Sequence, residues 1–202
     1  MRIIAVAISF LLTLACGVAF AQGPQNKDVF FLVGVAPGTS QRISGTAISV
    51  ETDASLAIQG GLGYQVLSTT AAYIFLEIPI AFEFPGTSTA SGLSIENRLI
   101  ANYIAPGIRF KVPISDRLSI YGLVGGGYGT FRRFEMDPTV ADQVTARFRS
   151  GGIFDFGGGI DVRLRRGFSF RFETRDFVGG GDSTVGAGRH HLIPVAGFAL
   201  HF

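Results

Sequence analysis

Tryptophan is missing from the 202 residues, and cysteine occurs once, at Cys16. A lone cysteine excludes an internal disulfide and cannot by itself build a thiolate metal site. Charge is scarce too: Asp, Glu, Lys and Arg supply 16% of the chain against 47% hydrophobic residues, at a mean hydropathy of +0.38. The formal charge of +2 is too small to point to nucleic acid, and no such partner is expected. Beyond residue 21 there is no unbroken apolar run of about 18 residues, the least that a spanning helix needs. Apolarity without a run has to be spread by alternation. In a bilayer only helices and closed barrels satisfy every backbone polar group, so alternation leaves the barrel.

The first segment present is an address. Residues 1–21 read as a secretory signal peptide, with Arg2 as the positive lead, residues 3–14 as the apolar run, and Ala19-Phe20-Ala21 as the small-x-small cleavage signal. A competing reading makes Cys16 a lipidated N-terminus, but Thr13 stands where that signal carries Leu. Cleavage after Ala21 leaves one domain, residues 22–202, without cysteine and with 16 basic against 15 acidic residues once Arg2 is gone.

That domain divides into eight period-2 stretches: 28–36, 54–67, 73–84, 98–112, 118–134, 147–164, 168–177 and 191–202. The connections alternate long and short, beginning with the polar stretch 37–53, and splitting that stretch would be needed to reach ten strands. Long outer loops, short periplasmic turns and an even strand number are the pattern of a transmembrane barrel. The fold expected is all-β, an eight-stranded antiparallel up-and-down transmembrane β-barrel with both ends of the chain on the periplasmic side. The last stretch ends on the bare aromatic Phe202, the terminus of the strand that closes the ring. The first stretch, with Val29, Phe30, Phe31, Leu32 and Val33 in a row, leaves its own register ambiguous.

Which face meets lipid is argued best on residues 168–177. Phe168, Phe170 and Phe172 oppose Ser169, Arg171, Glu173 and Arg175, and repeated Phe is too bulky for an eight-stranded interior. A turn near Arg166 places Arg171 opposite Asp161 and Ser169 opposite Arg163, so that an Arg–Asp pair forms across the strands. The lumen is expected to hold a network of Glu77, Arg109, Lys111, Asp155, Asp161, Arg163, Arg171, Glu173 and Arg175, with Glu83 facing the same way, because enclosed charges must be paired. The glycine triplets 125–127 and 157–159 are read as facing one another across the fifth and sixth strands.

The signal peptide, the VFFLVGV stretch, APGIRFKVPISDRLSIYGLVGGGYG, FDFGGGIDVRL and the terminal FALHF together resemble the bacterial outer-membrane β-barrel family, in particular its small eight-stranded OmpA-like and OmpX-like group. The likeness covers the whole domain with loose patterns rather than signatures. It implies residence in the bacterial outer membrane, a lumen plugged by charged side chains, and assembly by the barrel-assembly machinery through the C-terminal strand. Without Trp, the interfacial girdle falls to Tyr64, Tyr73, Tyr103, Tyr121, Tyr128 and the phenylalanines. No peptidoglycan-binding domain is expected after the barrel.

Chemistry is harder to find. His190-His191 follows Asp182 and Ser183 but lacks the spacing of barrel lipases and deacylases, and His201 is read as inert. The glycine runs are not followed by a helix, so no nucleotide fingerprint exists. No catalytic, metal or cofactor site is expected. Arg132, Arg133, Arg147 and Arg149 gather at the outer ends of the fifth and sixth strands, where guanidinium forks suit lipopolysaccharide phosphates. The expected function is a monomeric, non-enzymatic barrel with a structural or surface-interaction role through its outer loops, set among outer-membrane lipid and lipopolysaccharide. A narrow pore, a lipid-modifying barrel enzyme and a soluble lipocalin-like carrier are the rivals.

Overall fold

A computed structural model of the chain describes residues 25–42, 49–90, 93–136, 144–179 and 190–202, with side chains placed at 25–38, 53–85, 100–132, 148–179 and 190–202. The signal peptide reading of residues 1–21, with Cys16, lies outside the described residues.

Every described element is a strand: β1 (Lys27–Ala36), β2 (Thr39–Arg42), β3 (Ser49–Thr52), β4 (Ser55–Ser68), β5 (Tyr73–Ala90), β6 (Leu93–Ile104), β7 (Gly107–Pro113), β8 (Leu118–Met136), β9 (Val144–Arg165), β10 (Phe168–Gly179) and β11 (His190–His201). All pairings are antiparallel, and β11 returns to β1, so the sheet closes into eight walls. One wall is made of two pieces. β6 and β7 both pair with β5 and β8, and the break at Ala105 and Pro106 falls where proline has no N–H to give to a ladder.

Strands outrun their apolar stretches. The polar segment 85–97, read from sequence as a loop, is largely ladder, since β5 runs to Ala90 and β6 begins at Leu93, and the described ends of 135–146 are ladder too, in β8 to Met136 and β9 from Val144. Polar side chains end the lipid-facing pattern, yet the backbone groups behind them still need partners, which the neighbouring strand supplies. Within 37–53 the β2–β3 ladder joins the far end of β5, with Val50 opposite Ala90, and adds no wall to the ring. At the opposite end, Gly167 at φ 75° turns β9 into β10, a left-handed position suited to glycine. That end also holds the seam, where the Lys27 N–H donates to the Phe202 carbonyl at 2.9 Å and the Phe202 N–H to that of Lys27 at 3.0 Å.

The orientation of the faces is plain on β10. Arg171, Glu173 and Arg175 are 0%, 0% and 2% exposed, whereas Phe170 and Phe172 are 37% and 44% exposed. The outer surface continues with Leu62, Ile78, Ile108, Phe154, Phe198 and others, the reverse of a soluble carrier. The register of β1 is settled by its neighbours: Asp28, Phe30 and Leu32 are buried inside, and Phe31, Val33 and Val35 look out.

Two readings need correction. The glycine triplets do not face each other: Gly125, Gly126 and Gly127 lie opposite Asp155, Phe154 and Ile153, and Gly157, Gly158 and Gly159 opposite Leu123, Gly122 and Tyr121. Gly125 and Gly159 stand across this ladder from Asp155 and Tyr121 and not from a glycine of the other triplet. A Cβ at Gly159 would sit 2.3 Å from the Phe172 carbonyl oxygen and 2.4 Å from the Tyr121 hydroxyl. The tyrosine girdle is smaller than expected, because Tyr103 and Tyr121 are buried in the lumen while Tyr64 and Tyr128 face outward. Odd-numbered residues point inward on those strands, whatever their affinity for an interface.

Candidate functional site

The lumen is closed by a chain of side chains whose charge alternates at every link. Lys111 Nζ meets Asp161 at 2.5 Å, and Asp161 accepts from Arg171 at 2.7 Å. Arg171 reaches Asp28 at 3.0 Å, and Asp28 also binds Arg109. Arg109 continues to Glu77 at 2.7 Å, and Glu77 to Arg175 at 2.6 Å. Arg175 ends the chain on Asp155 at 2.8 Å and Glu173 at 2.9 Å. Gln59 and the Tyr121 hydroxyl donate to the two oxygens of Glu173 at 2.5 and 2.8 Å. The planes of Arg109 and Arg171 lie over Phe75 and Phe30 at 4.6 and 4.9 Å. An isolated charge in so enclosed a space would cost several kcal/mol, and alternation is what makes the arrangement tolerable.

Eight of the nine residues read as the network therefore meet in one body: Glu77, Arg109, Lys111, Asp155, Asp161, Arg171, Glu173 and Arg175. The ladder sets Arg171 opposite Asp161 and Ser169 opposite Arg163. Arg163 differs: two residues from the end of β9, it is exposed at the rim, lining a cavity of about 370 Å³. Sequence reasoning passed over Asp28, which holds two arginines, because the apolar run after it hid the register of β1. Gln59 and Tyr121 were invisible for another reason, since nothing local marks an uncharged side chain as a partner for Glu173.

On the side away from the seam the lumen turns apolar. Tyr103 stacks on Phe177 with ring centres 4.4 Å apart, and Leu32, Phe131, Ile153, Ile193 and Val195 pack in the same buried cluster. The Tyr103 hydroxyl donates to Glu83 at 2.7 Å. The lumen is thus shut by two unlike layers, one ionic and one greasy.

The histidines take separate places. His190 Nδ1 is 2.7 Å from Asp176, and His191 Nδ1 is 3.5 Å from Glu83 with its ring against Tyr103 and Phe131. Asp182 and Ser183 lie outside the described residues. Among the described residues no group of three His, Cys, Asp or Glu is placed to hold a metal ion.

The four arginines at the far end do not share a face. Arg132 stands opposite Phe148, Arg133 opposite Arg147, and Arg149 opposite Phe131. Alternation puts Arg132 on the lipid-facing side and the other three register positions on the lumen-facing side. Arg98 joins Arg132, because Arg98 pairs with Phe134 and Ile100 with Arg132. A contiguous sequence cluster splits in this way whenever a strand carries it.

A protein-family model described as "Outer membrane protein beta-barrel domain" matches residues 9–187. No curated protein matches by sequence. Among solved structures, Neisserial surface protein A is similar with a TM-score of 0.57 and 11% identity, over 87% of this chain and 97% of its own. OprG of Pseudomonas aeruginosa gives 0.55 and 12%, over 90% and 98%. Ail, the attachment invasion locus protein of Yersinia pestis, gives 0.52 and 13%, over 88% and 99%. At such identities the likeness is one of fold.

Proposed function

The chain belongs to the outer-membrane β-barrel family, and from that premise we propose that it is a non-conducting membrane anchor whose structural or surface-interaction work is done by the outer loops. The observation that carries this reading is the filled lumen. Arg109, Arg171 and Glu173 are wholly buried on one level and Phe30, Leu32, Phe177 and Ile193 on the next, as an eight-stranded ring with room only for side chains requires. A narrow pore would need a continuous wet path through both layers. With the lumen closed, what is left to meet a partner is what the strands carry beyond the membrane, and β8 and β9 pair as far as Met136 and Val144 to carry it.

The rest of the assignment follows the family. The export signal is residues 1–21, and the protein is a monomer delivered to the barrel-assembly machinery through β11 and Phe202. The seam end faces the periplasm, as the short turns do in such barrels. Lipopolysaccharide phosphates would meet Arg132, and the register that puts position 98 on the same side of the wall supports Arg98 as its companion. Arg133, Arg147 and Arg149 serve the outer mouth instead.

Planar-bilayer recording of the purified, refolded protein tests the central point. The expected record is flat in molar potassium chloride. Regular unitary steps, abolished by boiling the protein, would overturn the reading in favour of a pore.

A further inference from the structure

At the seam three adjacent strands each send one inward side chain to a common point. Asp28 of β1 lies opposite His201 of β11, and Ser169 of β10 lies opposite Ala199, two residues away on the same face. Ser169 Oγ is 2.8 Å from His201 Nε2, and the other ring nitrogen, Nδ1, is 3.9 Å from Asp28 Oδ2. Ser169 and His201 stand within hydrogen-bond reach, as a nucleophile and its base must, and the Asp28 carboxylate lies beyond hydrogen-bond reach of Nδ1 but near enough to act on the ring electrostatically. That carboxylate is fixed through Oδ2 by Arg109 and Arg171, which hold it in place. Ser169 and His201 both line the 370 Å³ cavity that opens at this end. Tyr73, Phe75 and Ile114 give that cavity an apolar wall, and Lys111, Arg163, Asp116 and Asp161 a charged one of mixed sign.

We propose that this cavity is a periplasm-facing acyl-transfer site in which Ser169 attacks short-chain carboxylic esters, at the opposite end of the barrel from the loops. The Ser169 oxygen bonds to the ester carbonyl carbon while its proton passes to His201 Nε2. Arg163, opposite Ser169 in the ladder and lining the same cavity, is the cation that the developing negative oxygen would recruit. Collapse breaks the bond to the alcohol, which departs with the proton from His201. Water then attacks the acyl-serine, gives one proton to His201, and releases the carboxylic acid as Ser169 regains that proton. The sum is ester and water to acid and alcohol. Asp28 touches no reacting atom and is a positioning residue.

The test uses the whole refolded protein in detergent micelles, its fold checked by the mobility shift on boiling. A fluorophosphonate probe and p-nitrophenyl butyrate are the reagents, with peptide mass mapping to locate the label. The expected result is a label on Ser169 and none on Ser119, a second serine of the same cavity. Ser169→Ala should abolish labelling, and His201→Gln should slow it about 100-fold, the usual share of a positioned base. Asp28→Asn should slow labelling of Ser169 relative to Ser119 and Asp28→Glu should restore it, with the mobility shift on boiling kept in both. Labelling of Ser169 no faster than of Ser119, or no faster than in the urea-unfolded chain, would overturn the proposal. That comparison is made within the unmodified protein and requires no variant to fold.

Discussion

Arg175 is the cation on which most of the lumen depends, and Arg175→Met is the sharpest perturbation of it. The guanidinium holds Glu77 at 2.6 Å, Asp155 at 2.8 Å and Glu173 at 2.9 Å. Two of these are not stranded by its loss. Glu77 keeps Arg109, and Glu173 keeps Gln59 and Tyr121. Asp155, 1% exposed, loses both its cation and its hydrogen-bond donor, whereas Glu173 loses its cation but keeps two neutral donors. Removing one partner of a buried pair costs about 3–5 kcal/mol. The cost has a ceiling, because Asp155 can take up a proton instead, and doing so at pH 7 from an ordinary value near 3.9 costs about 4 kcal/mol. The expected loss is therefore about 3–4 kcal/mol at pH 7, or roughly 10 °C in Tm for a chain of this size. A group forced to hold its proton in the folded state penalises folding above its ordinary pKa, so the penalty shrinks as pH falls. At pH 5 the ceiling drops to about 1.5 kcal/mol. Urea unfolding in liposomes, followed by far-ultraviolet circular dichroism since no Trp is present, gives both values. A difference from the parent protein below about 1 kcal/mol, or one that does not change between pH 7 and pH 5, would refute the closed ionic layer.

The outward placement of Phe172 predicts that Phe172→Arg costs about 2–4 kcal/mol in the same liposomes, the range for a cation at lipid-facing mid-depth; a cost near zero would contradict that orientation. For lipopolysaccharide, the double change Arg98→Gln and Arg132→Gln should remove the extra stability gained on adding lipopolysaccharide and leave that in plain phospholipid unaltered. Arg133→Gln with Arg147→Gln, on the other face, should leave both unaltered. The reverse pattern would sink the assignment of the lipid-facing pair.

The walls of the barrel were legible because a half-buried strand writes its environment at every second residue, and β10 writes it without ambiguity. Even the opposition of Arg171 and Asp161 could be counted from the turn at Arg166 and Gly167. Three things could not be read. Where the lipid-facing pattern stops, the ladder does not, so the ends of β5, β8 and β9 were set too early. Where both faces are apolar, as in β1, period-2 reasoning is silent, and Asp28 went unnoticed as the hub of two arginines. Relations between strands distant in sequence leave no local mark: the opposition of Gly159 and Tyr121, or the approach of Ser169 to His201, exists only once the register of the whole ring is fixed.

The paired hydrogen bonds between Lys27 and Phe202 carry a kinetic consequence. They couple the stretches of the described chain farthest apart in sequence, so loop-closure entropy opposes this contact more than any other. No product that lacks β11 can be circular, and Asp28 has no His201 until that strand is present. Until the seam closes, the edges of β1 and β11 lie open to any strand that another molecule offers.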